Sequence, residues 1–205
     1  LADGTIIHVD VFRPLHGIAA PLIAWGPYGK HGHTRYSVNF PNADVDDDTL
    51  SAYTAFEAPD PMYWVPHGYA IINADPRGTW YSQGRATYLS PQEASFWDYL
   101  PGRWGHGVGA VEDLRLETRE RPLFDAYWES KRAKLEKIKV PAFVCASWTD
   151  QALHTRGTLE GFRRISSGQK WLYVHGRKKW AHYYEPRSLE MQRAFFDHFL
   201  HGKTT

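Results

Sequence analysis

Residue types that can exchange protons follow two apolar runs in the last third of the chain. Asp150 comes just after "VPAFVCASW" (140–148), and His175 and His182 come at and beyond the end of "KWLYVH" (170–175). An acid followed about 25 residues later by a histidine, both at strand exits, is the order of orienting acid and base in Ser…Asp…His hydrolases. In such a triad the carboxylate holds the imidazole in one tautomer and stabilises the imidazolium. The alternative is that Asp150 caps a helix near residue 153 and that the histidines are ordinary loop residues.

Five apolar runs predict the strands that would position these groups. The run at 5–14 alternates and stops at Pro14, which predicts a half-exposed antiparallel strand. The other four are continuous, which is typical of strands buried on both faces of a parallel sheet. They cover residues 21–29, 69–78, 140–148 and 170–176.

Helical patterns follow several of these runs. "SPQE" (90–93) is a capping box that predicts a helix over 91–100, and amphipathic patterns predict helices over 153–165 and 188–200. Strands alternating with helices predict an α/β fold with a mostly parallel sheet flanked by helices. Residues 31–67 are predicted to form a long polar loop, and residues 101–139 a Gly-rich start followed by a charged, helical segment interrupted at Pro122.

Ligands of open α/β sheets bind beyond the carboxyl ends of the strands. The polar groups predicted at that edge are Tyr28, Asp75 with Arg77, Asp150, His175 and His182.

Composition narrows the function classes. The 205 residues are 42% hydrophobic and 23% charged with a net charge of +1, so we expect a globular domain that does not bind nucleic acid. No apolar stretch reaches the ~18 residues of a membrane span, so no membrane association is expected. The single cysteine, Cys145, lies in an apolar run where we expect it to be buried, and it excludes an internal disulfide. A cytoplasmic location is therefore expected.

No metal or other cofactor is expected either. His31 and His33 stand only one residue apart, and neither an acid nor a cysteine accompanies them at the spacing of a metal site.

Several motifs together resemble one family. In the first half they are "LADGTIIHVDVFRP", "WGPYGK", "GYAIINADPRGTWYSQG" and "SPQEASFWDYL"; in the second half they are "VPAFVCASWTDQALHTRGTLEGFRRI", "KWLYVHGRKKW" and "QRAFFDHFL". This combination resembles the CocE/NonD type of hydrolase, which comprises cocaine esterase and X-Pro dipeptidyl-peptidase-like enzymes. The resemblance covers roughly residues 1–100 and 120–202. It implies an α/β-hydrolase fold and cleavage of esters or amides by a Ser, Asp and His.

The resemblance also implies residue roles. Tyr28 matches the tyrosine whose hydroxyl helps to form the oxyanion hole, and Asp150 matches the triad acid. Two histidines compete for the role of base. His175 is slightly favoured because it directly follows the strand, whereas His182 in "KWAH" resembles the Pro-Trp-x-His form of other members.

The chain departs from the family at the nucleophile. The family carries its serine on a Gly-x-Ser-Tyr turn after the helix predicted at 91–100, and no such turn occurs in the sequence. The C-terminal jelly-roll domain of the family has no counterpart either. We therefore expect a fold that is incomplete relative to the family. Its parts are the N-terminal part of the hydrolase domain (1–100), a cap-region remnant and linker (101–139) and the C-terminal part of the hydrolase domain (140–205).

The function predicted on these grounds is that of a serine-type hydrolase of small esters or amides, whose serine is not visible in the chain. Its partner would be a small-molecule ester or amide substrate, and the oligomeric state is left open. The alternative is a catalytically inactive fragment of the hydrolase fold, or a relic of the fold that binds a ligand or a partner.

Overall fold

The computed structural model describes residues 1–26, 28–30, 35–85, 114–150 and 153–204. The chain divides into two compact units. The first unit comprises Leu1–Thr34 and Leu50–Ala133, and the second unit comprises Arg35–Thr49 and Lys134–Thr205.

A three-stranded sheet forms the centre of the first unit. Its strands are β1 (Val9–Phe12), β2 (Ala20–Ala24) and β3 (Tyr69–Ala74), arranged in the order β1-β3-β2. β1 runs antiparallel to β3, and β2 runs parallel to it. β3 carries the buried core because it has a partner on each side, and Tyr69 and Ile71 are completely buried. The predicted half-exposed antiparallel strand is confirmed: exposure alternates along β1, with Val9 and Val11 exposed.

Short helices complete the described part of the first unit. α2 (Pro61–Trp64) begins at Asp60, whose side chain accepts the Met62 N–H, and it continues into a 3₁₀ turn at Val65–His67 that leads to β3. The charged segment forms α3 (Leu114–Glu120) and α4 (Ala126–Lys131) on either side of Pro122, as predicted. Asp125 caps α4 by accepting two backbone N–H groups.

The second unit is a strand–helix–strand arrangement with added helices. β4 (Ala142–Ser147) and β5 (Lys170–His175) pair in parallel, and α5 (Leu153–Arg164) connects them. α6 (Lys179–Tyr184) and α7 (Pro186–His201) follow β5. Phe195 of α7 stacks on Phe143 of β4 and meets Trp171 of β5 edge to face, which packs the apolar face of the helix onto the sheet.

The α/β prediction, with mostly parallel strands and flanking helices, is confirmed. The predicted loop over 31–67 is wrong in part, because it contains α2 and also α1 (Tyr36–Asn39), and the rings of Tyr36 and Phe40 pack against Trp180 of α6. Aromatic burial orders these short polar stretches. The helix predicted over 91–100 lies outside the described residues. Among the described helices, none is both long enough and apolar enough to span a bilayer.

Candidate active site

The carboxyl ends of β4 and β5 lie side by side. The register pairs Cys145 with Tyr173 and Ser147 with His175, and the backbone N–H of Trp148 donates to the carbonyl of His175 at 2.9 Å. Side chains of alternate residues project from the same face of a strand. Cys145, Ser147, Tyr173 and His175 therefore share one face of the sheet at the edge where the acid and the histidines leave it.

Two hydroxyl groups tie the turn after β5 to the end of β4. Ser147 Oγ donates to the carbonyl oxygen of Arg177 at 2.6 Å, and Thr149 Oγ1 donates to the same oxygen at 3.0 Å. Ser147 is buried, and its Oγ also accepts the Thr149 N–H at 3.1 Å. These contacts hold the segment that carries the base candidates against the segment that carries Asp150.

Asp150 contacts the start of α6. Its carboxylate Oδ2 lies 3.3 Å from Lys179 Nζ, and both side chains are half-buried. Its backbone carbonyl accepts the Thr155 N–H of α5 at 3.0 Å. Within the described ranges, Lys179 is the residue within ion-pair distance of this carboxylate. Because Lys179 is the first residue of α6, the contact places the predicted acid beside the helix that carries His182.

His175 has its Nδ1 occupied by a backbone donor. The N–H of Arg177 donates to Nδ1 at 3.2 Å, so in the neutral ring the proton resides on Nε2. Burial lowers the pKa of His175 below its ordinary value, and the neighbouring His182 lowers it further. A ring that accepts at Nδ1 cannot donate that nitrogen's proton to an orienting carboxylate.

His182 has a carboxylate at its Nδ1 instead. The ring is buried between Tyr173 and His175, with centroid distances of 5.4 Å and 3.8 Å. Glu185 Oε1 lies 2.6 Å from His182 Nδ1, and Glu185 Oε2 lies 2.7 Å from a guanidinium nitrogen of Arg177. Neither ring nitrogen of His182 makes a hydrogen bond in the described part of the chain, so the 2.6 Å between Nδ1 and Glu185 is an ion-pair distance without hydrogen-bond geometry. The ring thus presents one nitrogen to an acid and keeps the other available to a proton.

Glu185 is the residue that the sequence analysis missed. It follows His182 by three residues, a spacing that brings side chains together on a helix surface. That spacing was the available signal. A triad acid is expected at the exit of a strand, whereas Glu185 lies between two helices.

Cys145 also belongs to this cluster. Its Sγ and one nitrogen each of His175 and His182 all lie within 4.8 Å of one another. The prediction that Cys145 is buried is wrong, because β4 is an edge strand of the described two-stranded sheet and the residue is exposed. Partial desolvation raises the pKa of its thiol.

Tyr28 lies in the first unit, on the turn after β2. Its ring meets Phe56 edge to face at 4.6 Å. The next two residues lie against Asp75, which is completely buried. The backbone N–H of Lys30 donates to Asp75 Oδ1 at 2.9 Å, and Gly29 has a φ of +66°. A Cβ at Gly29 would stand 2.8 Å from the same oxygen. Asp75 therefore shapes the turn that presents Tyr28.

Arg77, which the sequence places beside Asp75 at the strand end, points to the N-terminal segment. Its guanidinium pairs with Asp3 at 2.6 Å and donates to Thr5 Oγ1 at 2.7 Å. Hydrogen bonds from Thr5 and from Arg77 lower the pKa of Asp3 to about 2. The structure therefore gathers Asp150, His175 and His182 in the second unit and describes Tyr28 within the first. The catalytic roles of all four stay predictions.

Comparison with known proteins gives consistent family matches. Residues 3–100 match the family model described as X-Pro dipeptidyl-peptidase (S15 family). None of the curated proteins compared with the chain matches it.

Two solved structures resemble the whole chain, and both are of a CocE/NonD family hydrolase from Staphylococcus aureus. One is 27% identical with a TM-score of 0.84, and the match covers 100% of this chain and 50% of that chain. The other is 26% identical with a TM-score of 0.85, and the match covers 99% of this chain and 49% of that chain. The chain thus spans about half the length of the solved structures that it resembles.

Proposed function

Because the chain resembles hydrolases of the CocE/NonD type, we propose that it serves the hydrolysis of small esters or amides by acyl transfer through a serine. The observation that carries the proposal is the environment of His182. One of its nitrogens faces a carboxylate at 2.6 Å, and the other is buried without a described partner. A general base needs this asymmetry, since the proton it receives must arrive on the nitrogen that faces the substrate.

His182 is the proposed base in preference to His175, to which the sequence analysis gave a slight preference. The neutral His175 ring carries its proton on Nε2, because the Arg177 N–H occupies Nδ1. The ring of His175 lies 3.8 Å from that of His182 and forms one wall of its surroundings. In the proposed cycle His182 takes the hydroxyl proton of the serine as the acyl–oxygen bond forms, and passes it to the leaving group. Water then attacks the acyl-enzyme while His182 accepts the proton of the water and returns it to the serine oxygen, which releases the carboxylic acid.

Two carboxylates compete for the orienting role. Asp150 has the position that the family resemblance implies, and its Lys179 contact places it next to α6. Glu185 has the direct contact with His182 Nδ1. We assign the orienting role to Glu185, with Asp150 as the alternative. Comparing E185Q with D150N distinguishes the two, since the orienting acid is the one whose amide variant loses turnover while substrate affinity is kept.

Tyr28 is the proposed oxyanion donor. A phenolic O–H can donate to the negative charge that develops on the oxygen of a tetrahedral intermediate, and such a donor is worth roughly 3–4 kcal/mol of transition-state stabilisation. The serine itself is not identified in the 205 residues, since no Gly-x-Ser-Tyr turn occurs in them. We place the activity in the cytoplasm, because a protein with one exposed thiol, Cys145, suits a reducing compartment.

The test combines turnover with covalent labelling. Hydrolysis of p-nitrophenyl acetate is followed for the wild type, for H182Q and for H154Q, a matched change at an exposed histidine on α5. The proposal expects loss of at least about 100-fold in H182Q and none in H154Q, because general bases contribute roughly 10²–10⁴-fold. Intact mass after treatment with a fluorophosphonate should show one adduct on a serine. Equal rates for the two variants would overturn the proposal.

A second candidate function is that of a ligand-binding relic of the fold. The absence of the nucleophile turn from the sequence favours it, as does exposed Trp148 next to the acid segment, since exposed aromatic rings at strand ends are typical of binding surfaces. Absence of both the adduct and turnover, together with quenching of tryptophan fluorescence by a small ester, would favour this candidate.

A further inference from the structure

Cys145, His175 and His182 bring together three donors of the two types, thiolate and imidazole, that zinc prefers. Their ligand atoms, one thiol sulfur and two imidazole nitrogens, lie within 4.8 Å of one another. In a tetrahedral zinc site, bond lengths of about 2.3 Å to sulfur and 2.0–2.1 Å to nitrogen put neighbouring donors about 3.3–3.6 Å apart. The three donors are therefore at most about 1.2–1.5 Å beyond their bound separation, a distance that side-chain rotation covers.

The positions of the three residues follow from the fold. Cys145 and His175 project from the same face of adjacent strands, and α6 lays the ring of His182 on that of His175 at 3.8 Å. Two ligands on paired strands and one on a packed helix form a site on rigid elements. The exposure of Cys145 leaves the site open to an ion from solvent and leaves room for water as a fourth ligand.

Glu185 supplies a feature that metal-binding histidines share. A ligating imidazole usually presents its other nitrogen to a carboxylate or a carbonyl, which fixes the ring and raises its basicity. Glu185 Oε1 stands at that position, 2.6 Å from His182 Nδ1, so that Nε2 is the atom for the metal. The contact at His175 is of the opposite kind, because the Arg177 N–H donates to Nδ1 at 3.2 Å, and coordination at Nδ1 would replace that long hydrogen bond.

The neighbouring positive charges are already compensated. Residues 177–179 are all cationic, and each has a carboxylate partner: Arg177 pairs with Glu185 at 2.7 Å, Lys178 with Asp44 at 3.1 Å and Lys179 with Asp150 at 3.3 Å. A cation with a carboxylate beside it repels an incoming metal ion much less than an isolated cation does. The attraction of the carboxylate offsets most of the repulsion because both charges lie at similar distances from the ion. The site therefore has no uncompensated charge at residues 177–179 that would oppose a divalent cation.

We propose that Cys145, His175 and His182 form a binding site for a zinc-type divalent cation. This site departs from the sequence-based expectation that the chain holds no metal. Ligation would use His182 Nε2, the nitrogen assigned above to the base. The metal-loaded chain would then lack a free base, and this consequence alone rests on the proposed function.

Cobalt(II) provides the direct probe. Bound to a thiolate in a tetrahedral site, it gives a sulfur-to-cobalt charge-transfer band and intense visible transitions, and neither depends on hydrolysis. Cys145 is the single cysteine of the chain, so a charge-transfer band reports that residue. The wild type should develop both features at one equivalent of Co²⁺, and Zn²⁺ should abolish them by displacement. A folded wild type without the band would overturn the proposal.

Variants assign the three ligands. C145S should abolish the charge-transfer band, and H175Q and H182Q should each weaken Co²⁺ binding at least about tenfold, whereas H154Q should not. E185Q should weaken binding about 10–100-fold, the usual effect of removing a partner of a metal-binding histidine. E190Q, the same charge change at an exposed position of α7, should have no effect. Circular dichroism of each variant establishes that it is folded. A band insensitive to both H175Q and H182Q would mean adventitious thiol binding and would overturn the site.

Inhibition separates the two proposals. If turnover is present, Zn²⁺ at one equivalent should abolish it in the wild type and leave it intact in C145S. If turnover is absent, the cobalt spectra still decide the metal site, because they require no substrate. Failure of the hydrolase proposal and failure of the metal proposal are therefore distinguishable.

Discussion

The two hydroxyl groups on the Arg177 carbonyl allow a quantitative test of how the candidate site is held together. Replacing Ser147 by Ala removes the hydrogen bond donated at 2.6 Å and also the acceptor of the Thr149 N–H at 3.1 Å. A buried intramolecular hydrogen bond contributes about 0.5–1.5 kcal/mol net, so two of them predict a loss of about 1–3 kcal/mol in the free energy of unfolding. Thr149 Oγ1 remains at 3.0 Å, so the carbonyl keeps one donor and the loss stays within this range.

Thr149→Val is the matched control. It removes the second hydroxyl from the same carbonyl, but Thr149 is exposed, and water can replace the lost donor. The loss in the free energy of unfolding caused by T149V should therefore lie near the lower end of the range for one hydrogen bond, at about 0.5 kcal/mol.

Urea denaturation followed by tryptophan fluorescence gives both values, since Trp148 directly follows the affected strand. Faster hydrogen exchange at the Arg177 amide in S147A would locate the effect, because the turn that carries this N–H would loosen. Equal losses in S147A and T149V, or a loss below about 0.5 kcal/mol in S147A, would refute the argument that the buried hydroxyl holds the turn.

Three further predictions follow from other contacts. Gly29→Ala should lower the free energy of unfolding by about 1–3 kcal/mol more than Gly17→Ala, because both glycines have positive φ but only at Gly29 would the Cβ meet a neighbour, the Asp75 carboxylate at 2.8 Å. Asp75→Ala should cost about 1.5–3 kcal/mol or more, because it removes the buried charged acceptor of the Lys30 N–H, and urea unfolding measures both changes. Because burial and a second imidazole lower the pKa of His175 below 6.5, the unfolded ring binds more protons, so stability is complete above that pH and falls on acidification. Between about pH 7.5 and 5.5, H175Q should lose less stability than either the wild type or H154Q, and a loss equal to theirs would contradict this.

The strands could be predicted from the sequence because each one is indicated by a run of neighbouring apolar residues. Five apolar runs predicted five strands, and each run coincides with an observed strand of four to six residues to within one residue at its start or contains it. "YAIINADPRG" (69–78), for example, holds β3 at Tyr69–Ala74. A continuous apolar run predicts a strand from neighbouring residues alone, regardless of where the partners of that strand come from. The predicted burial on both faces is observed in β3 but is wrong for β2, β4 and β5, in which Ile23, Cys145 and Trp171 are exposed. The ends of the runs were too generous, because Gly and Pro stop the pairing a few residues earlier than the apolar character fades.

The positions of the acid and base candidates could also be predicted from the sequence. Asp150 follows β4 and the histidines follow β5, and parallel strands that pair in register end at the same edge of the sheet. Chain order and strand direction were thus enough to place the candidate residues in one region of the second unit.

Only the tertiary structure decided what each of these groups contacts. The choice between His175 and His182 depends on which nitrogen meets a backbone N–H and which meets Glu185, and that depends on how α6 packs on β5. The exposure of Cys145 depends on the pairing of β4 with a single described strand rather than on its apolar neighbours in sequence. Local periodicity determines which residues form strands and in what order they leave the sheet. The partners of a side chain are set by register and packing between segments that are distant in sequence. No single stretch of the chain therefore predicts which atoms come into contact.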